Sequence, residues 1–282
     1  MGWLGWLWPR TIRGVAWRGL IIALLALALD AFWIEPNGLT VNHYALAVPG
    51  AKSAHIDGLR IVVIADLHAG SPFIDADKIK RVVTLANAQH PDLILLAGDY
   101  WRGTFLGRDM PMAQVAALLK PLHARLGAFA VLGNHDNFHD GPATARAFQH
   151  AGIPVLENRS TQAGPITIVG IGDDFSGHAD PMKALAGVHQ PALCLTHSPD
   201  VFPELPPACA LLVAGHTHGG QVDLPVVGRL FVPSRYGQRY ASGFYVEHGH
   251  ALFVSTGIGT SIFPVRFREP PEISVLDIHA PH

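Results

Sequence analysis

The sequence has little cysteine and little charge. Cys194 and Cys209 are the only cysteines among 282 residues, which excludes a disulfide-rich scaffold, and their apolar surroundings predict two buried thiols rather than a disulfide. Charged residues make up 15% of the chain, and the formal net charge is −2. Because bulk positive charge is absent, we expect no nucleic-acid partner.

Internal repeats and low-complexity tracts are also absent. The length suffices for one large domain or for a domain with an appendage, and 49% hydrophobic residues suffice for a sizeable core. Histidine is the residue in excess, with 17 copies against 20 lysines and arginines together. Such an excess directs attention to metal ligands. The sequence does not indicate an oligomeric state.

The first 36 residues differ from the rest of the chain. Arginines at 10, 13 and 18 precede ten unbroken apolar residues, 20–29. Five of the six tryptophans lie in this segment, on both sides of the run: Trp3, Trp6, Trp8, Trp17 and Trp33. Tryptophan at the flanks of an apolar run is typical of a membrane interface. We predict that residues 1–36 are an uncleaved, single-pass anchor in the inner (cell) membrane, helical from about residue 15 to 34.

Two other interpretations of this segment remain open. The run is shorter than the roughly 20 residues of a full span. It could belong to a cleaved signal peptide, because Ala26-Leu27-Ala28 has the form of a cleavage site, or to a helix lying in the interface. If it is an anchor, the preceding arginines put the N-terminus inside and the bulk of the chain outside the cytoplasm. Residues 37–58 are expected to be a connector to a domain of residues 59–282.

From residue 59 onward, short apolar runs alternate with helical patterns. Five of the runs, each expected to be a strand, end directly at polar side chains: Asp66 and His68, Asp99, Asn134, His197, and finally His216 and His218. Ligands of open α/β sheets bind outside the carboxyl ends of the strands, so five strands side by side would bring these groups to one edge. The unbroken apolar runs indicate strands that are covered on both faces.

These seven side chains suit a pair of divalent cations. Two cations about 3.5–4 Å apart can clamp a phosphoryl group and activate a hydroxide that bridges them. Such a pair needs one bridging carboxylate together with imidazole and oxygen ligands, and the seven supply both kinds without a thiolate. This ligand set favours Mn, Fe or Zn over Mg or Ca.

The motifs that carry these residues resemble a known family. D-L-H at 66–68, G-D at 98–99, G-N-H-D at 133–136, T-H at 196–197 and G-H-T-H at 215–218 have the order and spacing of the calcineurin-like metallophosphoesterases. The resemblance covers the chain from about residue 60 to its end. It implies an α/β fold, a four-layer sandwich of two mixed sheets flanked by helices.

The resemblance also implies a role for each site residue. The implied ligands of the first metal are Asp66, His68 and His218, and those of the second are Asn134, His197 and His216. Asp99 is implied as the bridge between the metals. His135 resembles the histidine that binds no metal and assists the leaving oxygen.

One motif departs from the Ser/Thr protein phosphatases of this superfamily. Their second motif continues as GDYVDRG, and its second aspartate orients the catalytic histidine. Here the motif reads GDYWRG, with Arg102 in the place of that aspartate. The departure argues against protein-phosphatase activity. It leaves His135 without a carboxylate partner unless another group, such as Asp136, reaches it.

The downstream motifs resemble a membrane-associated bacterial branch of the family. They are GHTHGGQ at 215–221, PSRYGQRYASG at 233–243, STGIGTS at 255–261 and PVRF at 264–267. That branch includes phosphodiesterases and enzymes resembling UDP-2,3-diacylglucosamine pyrophosphohydrolases. Residues 225–268 contain five arginines and one acid, which predicts a phosphate-binding wall with Arg235 and Arg239 as substrate ligands. A solvated surface or a contact with lipid headgroups would produce the same composition.

The sequence therefore predicts a hydrolase with two metal ions that cleaves a phosphodiester or a pyrophosphate. A phosphorylated small molecule, a lipid or a nucleotide-sugar lipid is the expected substrate, and hydroxide attack with assistance from His135 is the expected chemistry. Two alternatives remain: a non-catalytic, metal-binding module on the membrane, and a soluble nuclease or protein phosphatase of the same superfamily.

Overall fold

The apolar runs of the sequence become the strands of two sheets in the structure, a computed structural model that describes residues 12–281. The helices are α1 (Ile12–Leu29), α2 (Glu35–Asn37), α3 (Ala76–Asn87), α4 (Met112–Leu119), α5 (Asn134–His150) and α6 (Pro181–Ala184). The strands are β1 (Thr40–Ala47), β2 (Arg60–Ile64), β3 (Leu93–Leu96), β4 (Ala128–Ala130), β5 (Arg159–Ala163), β6 (Ile166–Gly170), β7 (Ala192–Leu195), β8 (Cys209–Ala214), β9 (Asp223–Leu224), β10 (Gly228–Arg229), β11 (Gly243–Glu247), β12 (His250–Val254) and β13 (Glu272–His279).

Both large sheets are mixed. The first has the order β1-β13-β2-β3-β4, in which only the β13–β2 pair is antiparallel. The second has the order β11-β12-β8-β7-β6-β5, with a parallel centre and antiparallel edges. Strands β9 and β10 form a separate short hairpin. The prediction of two mixed sheets flanked by helices is confirmed.

Alternate side chains of each central strand enter different cores. In β2, Ile61 and Val63 pack between the two sheets, whereas Val62 and Ile64 pack against helices α3, α4 and α5. The outer face of the second sheet is covered by α6 and by a 3₁₀ helix, Pro199–Glu204. A strand that is buried on both faces reads as an unbroken apolar run, and this explains the pattern in the sequence.

Residues 40–47 are a strand, although residues 37–58 were expected to be a connector. Strand β1 pairs in parallel with β13 over eight residues, from Thr40 opposite Glu272 to Ala47 opposite His279. Val48, Ala51 and Ile56 after it are buried in the core between the sheets. The pattern was missed because β1 is an edge strand whose side chains are mostly half-exposed.

The two cysteines form a disulfide, so the prediction of two buried thiols was wrong. Cys194 on β7 and Cys209 on β8 lie on neighbouring strands, on the outer face of the second sheet, with their Cα atoms 5.7 Å apart. That separation is normal for a bridge between neighbouring elements. The pairing register of two strands is a tertiary feature, and the apolar surroundings of each cysteine do not show it.

The N-terminal helix is exposed along its length and fixed at its C-terminal end. After α1 the chain makes a π-helical turn, Asp30–Ile34, before α2. The Ala31 carbonyl accepts a hydrogen bond from Arg266 N at 2.9 Å, and the Glu35 carboxylate accepts from the backbone N–H groups of Arg268 and Glu269. Residues Gly14–Asn37 form one apolar helical segment long enough to cross a membrane. Trp3, Trp6, Trp8 and Arg10 lie outside the described residues.

Candidate metal centre

The candidate site lies where the carboxyl ends of strands from both sheets meet. The residues that follow β2, β3 and β4 in the first sheet and β7 and β8 in the second are Asp66, His68, Asp99, Asn134, His197, His216 and His218, and all seven are buried. Backbone hydrogen bonds join these loops, such as His68 N to the Asp99 carbonyl at 2.9 Å and Gly215 N to the His197 carbonyl at 2.9 Å. The five strands are therefore divided between two sheets, rather than side by side in one.

The backbone of this site is strained. Five of the seven residues have positive φ: Asp66 at 52°, His68 at 48°, Asp99 at 57°, His216 at 72° and His218 at 53°. Residues with a Cβ adopt this left-handed conformation at a cost of about 1–2 kcal/mol each. Nine other non-glycine residues of the described chain also have positive φ, but five among seven residues of one cluster is a pattern that fits side chains positioned for function.

Glycine makes the close approach of these loops possible. Gly98 has a φ of +89°, and a Cβ there would lie 2.7 Å from Gly133 N and 2.8 Å from His197 Nδ1. A side chain at position 98 would therefore displace the loop of Asn134 or the ring of His197.

Three of the seven residues form a first cluster. The Nε2 atoms of His68 and His218 are 3.2 Å apart, and their rings are stacked. Asp66 Oδ1 lies 3.5 Å from His218 Nε2. The three residues offer ligand atoms that all lie within 4.8 Å of one another.

Three others form a second cluster beside the first. His197 Nε2 lies 3.2 Å from Asn134 Oδ1 and 3.2 Å from His216 Nδ1. Asp99 connects the two clusters, because its Oδ2 atom is 3.6 Å from His68 Nε2 and 3.3 Å from His197 Nε2. One carboxylate oxygen thus faces a histidine from each cluster.

The hydrogen bonds around these histidines fit metal ligation. His68 Nδ1 lies 2.8 Å from the Trp101 carbonyl, and His197 Nδ1 lies 2.7 Å from the Ala97 carbonyl. Since a carbonyl only accepts, each Nδ1 must carry a proton, and in the neutral ring each Nε2 then directs a lone pair into the cluster. The His197 lone pair faces the oxygens of Asn134 and Asp99, an arrangement that repels unless a cation or a proton lies between them.

The pKa values of the site residues reflect their burial and the charges of their neighbours. Burial lowers the pKa of His68 and that of His216 to about 3, so both are neutral, as ligation requires. Burial also acts to lower the pKa of His197, but the Asp99 carboxylate outweighs it and holds that pKa well above its usual range. Burial raises the pKa of Asp66 to about 7. A site that attracts a proton so strongly to His197 is one that a cation would stabilise.

Asp136 holds the loop of Asp99 and does not reach His135. Its carboxylate is fully buried and accepts four backbone N–H bonds, from Asp99 at 2.9 Å, Tyr100 at 3.0 Å, Trp101 at 3.0 Å and Gly133 at 2.9 Å. The sequence did not assign this role. The sequence feature that could have revealed it is the acid at the third position of helix α5, where a carboxylate can cap the helix.

His135 stands at the open side of the clusters. Its backbone N–H donates to Asp99 Oδ1 at 2.9 Å, and its ring centroid lies 4.9 Å from that of His68. Its Nε2 atom is 3.3 Å from the hydroxyl of Ser261. Gln221 fixes Ser261 by accepting from its backbone N–H at 2.6 Å and donating to its carbonyl at 3.1 Å. A hydroxyl, rather than a carboxylate, therefore contacts the ring of His135.

Arg102 is bound by other groups of its own loop. Its Nε donates to Asp109 Oδ1 at 2.7 Å, and its Nη1 donates to the Thr104 carbonyl at 2.8 Å. It stabilises the loop after β3.

A fully buried arginine lies behind the first cluster. Arg266 donates to the carbonyls of Thr256 and Gly259 and places its Nη2 3.4 Å from His218 Nδ1. Neither the burial of Arg266 nor its contact with His218 was expected from the sequence.

Arg235 and Arg239 lie outside the cluster of seven. Arg235 contacts Asp174 Oδ2 at 3.1 Å and the Asp200 carbonyl at 3.2 Å. Arg239 pairs with Glu247 on β11 at 2.8 Å. Both side chains are more than half exposed.

Comparison with known proteins identifies the family. The family model described as Calcineurin-like phosphoesterase matches residues 59–220. The chain belongs to the calcineurin-like phosphoesterase family. Its family membership makes it a hydrolase of phosphoric esters. Among the described residues, three groups of Asp and His side chains could hold a metal ion: Asp66, His68 and His218; His68, Asp99 and His135; and Asp66, Asp99 and His197.

Three relatives in this family illustrate the range of named activities. The chain is 33% identical over 256 residues to Phosphodiesterase YaeI of Escherichia coli, covering 87% of this chain and 90% of the relative. It is 28% identical to UDP-2,3-diacylglucosamine pyrophosphatase LpxG of Chlamydia trachomatis, covering 91% and 95%. It is 28% identical to Transmembrane protein with metallophosphoesterase domain of Danio rerio, covering 94% of this chain and 64% of the relative.

Proposed function

We propose that this protein uses two divalent metal ions to hydrolyse a phosphodiester or a pyrophosphate. The observation that carries the proposal is the position of Asp99, one carboxylate between two histidine clusters. Asp66, His68 and His218 would hold one Mn, Fe or Zn ion, and Asn134, His197 and His216 the other. Ions bound there supply Lewis-acid stabilisation of the phosphoryl group and an activated water nucleophile.

His135 is the proposed proton donor to the leaving oxygen. It is part-exposed at the edge of the clusters and its inward neighbours are the metal ligands, so its ring can meet a substrate bound between them. The hydroxyl of Ser261 can orient this ring, but it cannot compensate an imidazolium charge as a carboxylate does. An imidazole with this support is best suited to good leaving groups, such as the phosphate of an anhydride or an activated alcohol of a diester.

Arg235 and Arg239 are the proposed ligands of a second phosphate or another anionic group of the substrate. Arg235 is the better placed of the two. It pairs with Asp174, and the next residue, Phe175, has its ring 4.8 Å from that of His216. Arg239 is held by Glu247 on the outer strand β11, so its contribution should be smaller.

The substrate preference can be measured directly. We expect kcat/KM for a diester or a pyrophosphate to exceed that for the matching monoester at least ~10-fold, about 1.4 kcal/mol in transition-state binding. Arg235→Ala should narrow this gap by weakening the diester reaction more than the monoester reaction, and Arg239→Ala should do the same to a smaller extent. Equal or faster hydrolysis of the monoester by the wild type would contradict this preference and indicate a general phosphatase.

A lipid or a nucleotide-sugar lipid is the proposed substrate class. The support is the apolar N-terminal helix of this chain together with the named activity of the LpxG relative. We propose that α1 is a single-pass anchor in the inner membrane and that the catalytic domain lies outside the cytoplasm. The disulfide between Cys194 and Cys209 supports this orientation, because such bonds persist in oxidising compartments.

The proposed anchor can be tested by membrane fractionation and by analysis of the N-terminus. The full-length protein should sediment with membranes and resist a high-salt wash, because screening of charge does not release an apolar helix. Edman sequencing or intact mass of the membrane-bound protein should show an uncut N-terminus. Recovery in the soluble fraction would refute the anchor, and a mature N-terminus near Leu29 would show that the segment is a signal peptide.

Two alternative functions make different predictions. A non-catalytic metal-binding module would bind metal without turning over bis(p-nitrophenyl) phosphate. A soluble protein phosphatase or nuclease would act on phosphoproteins or nucleic acids without any membrane. Arg102 stands where the phosphatases have an aspartate and pairs with Asp109, so position 102 offers His135 no carboxylate, which argues against the phosphatase.

A further inference from the structure

Two loops beside His135 expose large apolar side chains to solvent. Phe105 is 79% exposed and Phe263 is 61% exposed, and each has an exposed apolar neighbour, Leu106 and Ile262. The loops are joined, because Ile262 N donates to the Gly103 carbonyl at 2.8 Å and the rings of Phe105 and Phe263 are 6.3 Å apart. We call these four residues the rim patch.

The rim patch lies next to the end of the apolar N-terminal helix. Arg266, three residues after Phe263, donates its backbone N–H to the Ala31 carbonyl at 2.9 Å. Three residues of extended chain span about 10 Å, so the patch begins within that distance of the helix end. Around Ala31 the helix exposes Phe32, Trp33 and Ile34, side chains suited to a membrane interface.

The rim patch also adjoins the catalytic centre. Ser261, whose hydroxyl is 3.3 Å from His135 Nε2, is the residue directly before Ile262. The patch therefore lies between His135 and the helix that is proposed to enter the membrane.

The hairpin of β9 and β10 extends this apolar surface. Val226 and Val227 in its turn and Leu230 and Phe231 directly after β10 are exposed apolar side chains. The hairpin is tied to the same loop, because Asp223 N donates to the Phe267 carbonyl at 3.0 Å and Gln221 Nε2 lies 3.5 Å from the Phe263 carbonyl.

Two of the arginines near the patch are paired with acids, whereas Arg108, two residues after Leu106, is exposed. Arg102 pairs with Asp109, and Arg268 lies 4.0 Å from Asp223. Exposed apolar surface of this kind marks a site of contact with a membrane or another protein. Continuity with the exposed face of the N-terminal helix selects the membrane, since a helix in the bilayer holds its C-terminal end at the headgroups.

We propose that the rim patch rests in the headgroup region of the membrane that holds α1, so that the metal centre receives its substrate from the bilayer surface. The inference rests on the proposed anchor and the proposed phosphohydrolase function. It assigns the membrane a second contact on this chain, besides the helix.

The contact can be tested by spin labelling of the full-length protein in nanodiscs of phosphatidylcholine and phosphatidylglycerol. Phe105→Cys and Phe263→Cys accept one nitroxide each, because the two native cysteines are bonded to each other. Met182→Cys on α6 is the matched control, with 79% exposure equal to that of Phe105. We expect the labels at 105 and 263 to be more accessible to oxygen than to a nickel chelate, and the label at 182 to show the reverse.

Three results would count against the proposal. Labels at both 105 and 263 that are more accessible to the nickel chelate than to oxygen would overturn it. Low accessibility to both reagents would place another protein chain on the patch, and would also overturn it. The same lipid-like profile at 182 would overturn it as well, because the membrane contact would then not be specific to the rim patch.

An activity measurement separates the membrane contact from the chemistry. In Phe105→Ser/Phe263→Ser, kcat/KM for a phosphatidyl p-nitrophenol in the nanodisc should fall at least ~10-fold, whereas turnover of soluble bis(p-nitrophenyl) phosphate should stay within about twofold. An equal loss on both substrates would contradict the proposal. If the wild type hydrolyses neither diester, the proposed function fails, while the spin-label profile still decides the membrane contact.

Discussion

Asp99→Ala is expected to lose both metal ions and, with them, phosphodiesterase activity by ~10⁴-fold or more, because charge stabilisation and the nucleophile both depend on the metals. The reason is the position of Asp99 Oδ2, within 3.6 Å of His68 Nε2 and 3.3 Å of His197 Nε2, one from each cluster. Metal analysis of the purified variant, beside turnover of bis(p-nitrophenyl) phosphate, checks both parts.

Two further variants control for a folding defect. Asp99 Oδ1 also accepts the backbone N–H of His135, and Asp99→Asn keeps an acceptor there while it removes the charge. Asp99→Asn should stay folded and still fail to retain two ions. Asp109→Ala, which changes an aspartate that pairs with Arg102 at the surface, should retain both ions. Two ions in Asp99→Ala would show that Asp99 is not the bridge.

His135→Ala should keep both metals while kcat falls by ~10²–10⁴. The imidazole of His135 contacts Ser261 through Nε2 and is not one of the seven proposed ligands, so the clusters do not need it. The loss should be larger for an alkyl leaving group than for p-nitrophenol, because a proton donor matters most for a poor leaving group. Kinetics with both diesters and metal analysis of the same sample test this.

Ser261→Ala is the informative comparison for His135. It removes the hydroxyl that lies 3.3 Å from Nε2 but leaves the imidazole in place. We expect a smaller loss, ~10-fold, together with a shift of the pH–rate profile, since the partner of the ring has changed. A collapse of metal content in His135→Ala would show that the histidine ligates a metal and that the assigned roles are wrong.

The convergence of the site residues could be predicted from the sequence because it depends on short segments, each an apolar run followed by a polar side chain. Each of the seven side chains follows an apolar run directly, and the structure brings all seven together at strand ends. The division of those strands between two sheets is not local. It depends on the packing of Ile61 and Val63 against the second sheet, and an unbroken apolar run looks the same in either arrangement.

The residues that support the site could not be found in this way. His135 and Ser261 are 126 positions apart in the chain, and Gln221 reaches Ser261 across 40 positions. Such contacts follow from the fold, not from spacing. Asp136 was visible as an acid beside His135, but four backbone N–H groups bind it, and a sequence does not show which groups a carboxylate will meet.

The sequence did not reveal β1 and β5, which lie at the edges of their sheets. Their side chains are mostly half-exposed or fully exposed, so neither strand gives a continuous apolar run. The disulfide was missed for a related reason, since it depends on the register between β7 and β8. Edge pairing and register are set by neighbours that are distant in sequence.

The number of metal ions bound per chain is the most direct test of the proposed two-metal centre. Full-length protein, stripped of metal and reconstituted with Mn or Zn, should be analysed for metal while the same sample turns over bis(p-nitrophenyl) phosphate. We expect close to two ions per chain, with full activity only when both are bound, because Asp99 lies between two complete clusters. One ion per chain at full activity would contradict it.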